Sequence, residues 1–127
     1  MPERNSMKVP PASIAETSSV ERYGCAAACV DGLLYVVGGG DADGNTLASA
    51  ECYDASAGQW RALPDMSIVR HACAAACVDG LLYVVGGDVA DGNTLASVEY
   101  YDPSAGQWRA LPDMSVARSY CAAAVLP

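Results

Sequence analysis

The chain has 127 residues, 52% of them apolar, no phenylalanine, and a net charge of −8 from 15 acidic and seven basic residues. So acidic a surface excludes an electrostatic grip on phosphate backbones, and no nucleic-acid partner is expected. The longest strongly apolar runs, Leu33–Val37 and Leu81–Val85, are far shorter than the roughly 20 residues that cross a bilayer as a helix.

Residues 1–21, MPERNSMKVPPASIAETSSVE, read as a polar N-terminal tail without the apolar stretch of a secretory leader, so a cytoplasmic location and no membrane partner are expected. Internal repetition dominates residues 22–127. CAAACVDGLLYVVGG begins at Cys25 and again at Cys73, DGNTLAS at Asp43 and Asp91, and SAGQWRALPDMS at Ser56 and Ser104. Residues 22–69 and 70–117 are identical at 39 of 48 positions, and residues 118–127 open a third, incomplete copy. Five of the six cysteines recur with this repeat, so duplication accounts for their number without a disulfide framework.

Each unit predicts four short strands. The first covers Tyr23–Val30 and ends at Asp31-Gly32, a pair suited to the positive φ angles of a two-residue hairpin turn. The second, Leu33–Val37, is apolar on both faces and ends at Gly38-Gly39, where the backbone can bend or approach a neighbour closely. A polar loop, GDADGNTLA, leads to a third strand over Ser49–Asp54; the fourth, Gln59–Leu63, stops at Pro64. The CAAAC segment is too short for a stable helix and runs directly into a hairpin turn, so it is read as strand despite its alanines.

Four antiparallel strands every 40–50 residues, with a Gly-Gly and a Trp in each unit, is the period of a propeller blade. The order Arg, small first strand, DG, LLYVVGG, E-x-Y-D, G-Q-W, L-P, M-S and Arg again resembles the Kelch repeat, in the version found in Kelch-like substrate adaptors. The resemblance covers residues 22–127. It implies an all-β Kelch-type β-propeller fragment: repeat 1 over 22–69, repeat 2 over 70–117, and the first strand of a third repeat over 118–127. Two blades do not make a closed ring of roughly four to eight. The chain is therefore expected to assemble with copies of itself or with other propeller blades, to be a fragment of a longer gene product, or to remain open and marginally stable.

Chemistry is sparse. Cys25 and Cys29 share a strand face about 13 Å apart, too far for one disulfide or one metal ion, and read as small core fillers. The loop Asp41-Ala42-Asp43-Gly44-Asn45 has the opening of a calcium loop, but Thr46 and Cys52 stand where that loop needs Gly and Glu. His71 is the only histidine and belongs to no nucleophilic constellation, so neither catalysis nor a cofactor or metal is expected. Trp60, Trp108, Tyr53 and Tyr101 are expected to pack between blades.

The recurring charge is arginine, at Arg22, Arg70 and Arg118, each at the entrance to a first strand. By resemblance to Kelch-like adaptors, these positions and the residues after them line a pocket for acidic peptide motifs. That implies partner-binding residues Arg22 with Tyr23, Arg70 with His71, and Arg118 with Ser119. The other reading of each arginine is a brace against neighbouring carbonyls, Asp65 or Asp113. The function implied is a protein–protein interaction module, like the substrate-recognition domain of cullin-RING ubiquitin ligase adaptors or of actin-associated Kelch proteins. The alternatives are an incomplete part of a propeller enzyme (a sugar epimerase or oxidase) and a truncated or engineered product.

Overall fold

A computed structural model describes residues 21–120. Residues 1–20 of the expected tail and 121–127 of the third copy lie outside the described residues. The eight strands are β1 Ala26–Val30, β2 Leu33–Val37, β3 Ala50–Asp54, β4 Gln59–Leu63, β5 Ala74–Val78, β6 Leu81–Val85, β7 Val98–Asp102 and β8 Gln107–Leu111. They form two four-stranded antiparallel sheets in sequential order, β1-β2-β3-β4 and β5-β6-β7-β8, and the described residues contain no helix.

Local chemistry sets these boundaries. Asp31 and Gly32 both take positive φ, 49° and 80°, which closes the β1–β2 hairpin with the twist its strands require. The β3–β4 turn is held by the Asp54 carboxylate, which accepts hydrogen bonds from Ser56 N at 3.0 Å and Ser56 Oγ at 2.7 Å; Asp102 and Ser104 repeat this in the second sheet. At Gly39, with φ 94°, an added Cβ would lie 2.7 Å from the Tyr23 carbonyl oxygen, so the bend after β2 excludes a side chain.

The first strand is shorter than the sequence predicts. Gly24 turns to φ 68°, so regular pairing starts only at Ala26, and Tyr23 makes an isolated bridge to Gly40 instead. The third strand begins at Ala50, one residue later than predicted.

The core lies between the sheets. Cross-strand rows Ala26–Val37–Ala50 and Ala28–Tyr35–Cys52 point one face of the first sheet at the second. Leu82, Val84 and Tyr101 answer from the second sheet, with Cys77 and Trp108 packed beside them. The Tyr35 and Tyr101 rings meet across the gap at 6.3 Å. Trp108 also donates from Nε1 to the Pro64 carbonyl, 2.8 Å away, tying the second sheet to the linker that leaves the first. The sheets approach most closely along β1, β5 and β6 and diverge outward, as neighbouring blades do.

Candidate functional site

The recurring arginines form the frame of the site. Arg22 is 1% exposed. Its Nη1 donates to Gly38 O at 2.9 Å and Ser49 O at 3.1 Å, and its Nη2 to Ser49 Oγ at 3.0 Å and Glu51 Oε2 at 2.8 Å. Arg70, also 1% exposed, repeats the cage with Gly86 O, Ser97 O, Ser97 Oγ and Glu99 Oε2. Its Nε adds a bond to the same Glu99 oxygen at 3.1 Å. The Glu99 carboxylate further accepts from Ser67 N and Oγ at 3.0 and 2.9 Å. A buried charge is tolerated only when paired and hydrogen-bonded, and these cages meet both conditions.

The brace is thus formed by carbonyls together with Glu51 and Glu99, where Asp65 and Asp113 were the expected carboxylates. With donors committed inward, the Arg22 and Arg70 guanidinium groups do not line an open pocket. Arg118, third in the series, is exposed, and Ser119 is half-buried.

The residue after each arginine points the other way. Tyr23 and Gly40 exchange backbone bonds at 2.8 and 2.7 Å, and His71 and Asp88 do the same at 2.9 and 2.7 Å. These bridges fix Tyr23 and His71 in the wall of a 370 Å³ cleft with Gly40, Asp41 and Thr46 of the first repeat and Asp88 of the second. Gly24 lies directly under the imidazole: a Cβ there would stand 2.6 Å from Nε2. On another side the His71 ring meets Tyr120 edge-on at 6.2 Å.

The β2–β3 loops that form the rest of the cleft are internally capped. Asp41 Oδ1 accepts from the backbone N–H of Asn45 and of Asp43, each at 2.9 Å. These bonds, Asn45's foremost, hold the Asp41 carboxyl below the usual carboxylate range. In the second repeat Asp91 caps Asn93, and Asp88 accepts from Thr94 Oγ1 at 2.9 Å. Gly40 and Asp88 were not singled out by the sequence, yet a signal was present. Of the nine positions that differ between repeats, Tyr23/His71, Gly24/Ala72, Gly40/Asp88 and Asp41/Val89 gather at this cleft. The frame is constant while the cleft varies.

Three of the described thiols are held toward their protonated form. Burial pushes Cys25, Cys52 and Cys77 above the ordinary thiol value, which reduces the thiolate fraction. Among the described residues no group of three or more His, Cys, Asp or Glu is placed to hold a metal ion.

Comparison with known proteins bears on the family. A family model for the Kelch motif matches residues 21–67 and 70–115. No curated protein matches the chain. Two matched repeats, each folded as a four-stranded antiparallel blade with the same internal arginine cage, show that the chain belongs to the Kelch repeat family.

Proposed function

We propose that this chain is a protein-binding module that engages a polypeptide segment at the cleft between its two β2–β3 loops. Kelch repeats generally mediate protein–protein interaction, and the observation that carries the reading here is the pair Tyr23 and His71. Each is anchored by two backbone hydrogen bonds, and together they line one cleft spanning both repeats. Rigid aromatic side chains on a fixed frame contribute contact area with little ordering cost.

The likeness to Kelch-like adaptors implies an acidic motif as ligand, and the burial of Arg22 and Arg70 argues for a different chemistry. The cleft walls carry Asp41 and Asp88 and, among their basic residues, only His71. The segment we propose is therefore neutral or basic, in keeping with the net charge of −8. In this reading Arg22 and Arg70 support the site from behind, while Tyr23 and His71 touch the partner. By family likeness the role fits the substrate-reading part of a ubiquitin ligase adaptor or of an actin-associated protein, acting in the cytoplasm.

The test is affinity capture on the immobilised chain, followed by direct binding to the captured protein. Tyr23→Ala and His71→Ala are each expected to weaken binding about 10-fold or more, as interface anchors do, with the strand circular dichroism unchanged. Full binding by both folded variants would overturn the assignment.

A further inference from the structure

The two repeats differ in how their blade faces are covered. The first blade buries the face carrying Val30, Tyr35, Val37 and Cys52 against the second blade. The same face of the second blade has no such cover among the described residues. Val78 is 39% exposed where Val30 is 5%, and Tyr83, Val85 and Tyr100 are half-buried. The opposite face behaves in mirror fashion except at Val36, which is buried like its counterpart Val84. Leu82 and Tyr101 are buried against the first blade, whereas Leu34 and Tyr53 are half-buried and Cys29 is exposed.

A polar atom marks the same gap. Trp108 Nε1 donates to Pro64 O across the blade junction. Its counterpart Trp60 Nε1 is buried and has no hydrogen-bond partner among the described residues. The 48-residue repeat puts the acceptor for Trp60 at residue 16, outside the described residues. Across a junction between two copies the equivalent acceptor is the carbonyl of Pro112, the repeat counterpart of Pro64. Buried donors are rarely left orphaned, so this one points to an absent neighbour.

We infer that the chain associates head to tail with a second copy of itself, the free face of blade 2 docking on the free face of blade 1 and Pro112 O accepting from Trp60 Nε1. The junction inside the chain is the template. The face that blade 2 docks on blade 1, with Ala75, Cys77, Leu82, Val84, Tyr101 and Trp108, is identical residue for residue to the free face of blade 1. The other half of the new junction differs only by bulk, with Val98 for Ala50 and Tyr100 for Cys52. Both changes fall at inter-blade core positions, where Ala50 and Cys52 are buried in the first blade, so the new junction must accommodate the added bulk.

Such a contact uses different patches on the two partners, so it propagates until it closes. Closure at roughly four to eight blades corresponds to two to four copies. Arg118 lies at this junction. Residues 118–120 follow on blade 2 the path of 70–72 on blade 1, with Gly87 N to Arg118 O at 2.8 Å matching Gly39 N to Arg70 O at 2.7 Å. In the incoming copy the cage of Gly38 O, Ser49 and Glu51 is already filled by its own Arg22, so Arg118 stays outside it. The inference does not depend on what the loop cleft binds.

The test is the solution mass of the full 127-residue chain over a range of concentrations, with two variants that each block one face. The wild type is expected at two to four chain masses. Val78→Glu and Leu34→Glu are each expected to lose the oligomer and run as monomers with unchanged strand circular dichroism. Cys29→Glu, exposed on the same face as Leu34, replaces Leu34→Glu if that variant fails to fold. An equimolar mixture of the two blocked chains retains one intact face from each and is expected to give a heterodimer that grows no further. A wild type that stays monomeric, an oligomer that survives both variants, or a mixture of folded variants that stays monomeric would overturn the inference.

Discussion

At the scale of single residues, adjacent positions divide the labour. Arg70 spends its guanidinium inside the blade while His71, next in the chain, faces the cleft. Their backbones explain the split: His71 is locked to Asp88 by two bonds, which turns the preceding side chain inward. Tyr35 shows another consequence of burial. Desolvation in the inter-blade core, with Cys52 and Tyr101 close by, pushes its hydroxyl up to about 12 from an ordinary value of 10.0. The unfolded chain releases this proton first as pH rises, so the folded state loses stability between about pH 10 and 12. Tyr35→Phe is expected to flatten that part of the stability–pH curve, as read from urea unfolding at a series of alkaline pH values. An unchanged slope would place the titration elsewhere.

At the scale of elements, the hairpins and bends were readable because their causes are local. Asp31-Gly32, Gly38-Gly39 and the Asp54–Ser56 turn each act within a few residues, and β2 and β4 lie where the sequence places them. The start of β1 was not readable, since the positive φ of Gly24 that delays it depends on a bridge to Gly40. Nor were the arginine cages, whose partners Ser49 and Glu51 lie 27 and 29 residues from Arg22. A clue existed on β3, where Glu51 falls in the same face as Tyr53 and Val36, and a carboxylate in such a row requires a cation. The tryptophans give a prediction at this scale, because identical residues on identical strands differ in one bond. Trp108→Phe removes the donor to Pro64 and is expected to cost about 1 kcal/mol in thermal unfolding. Trp60→Phe removes an unpaired donor and is expected to cost nothing measurable in the monomer. Equal losses at both positions would contradict the difference seen between the two indoles.

At the scale of the whole molecule, two repeats cover one another on one side each, and the shared core of Tyr35, Val37, Leu82, Val84 and Tyr101 makes the pair a unit. The strong sequence identity between repeats announced this architecture, while the placement of the proposed binding cleft emerged only from the pairing of loops across the blades. The buried arginines hold that surface in place, and their neighbours present it. The most direct test is the equilibrium urea unfolding of Arg70→Ala beside His71→Ala. Arg70→Ala leaves the Glu99 carboxylate buried without its cation and is expected to lose about 3–5 kcal/mol, whereas His71→Ala is expected to stay within about 1 kcal/mol of the wild type. A stable Arg70→Ala chain, or a His71→Ala chain that unfolds as readily as Arg70→Ala, would contradict this division between frame and surface.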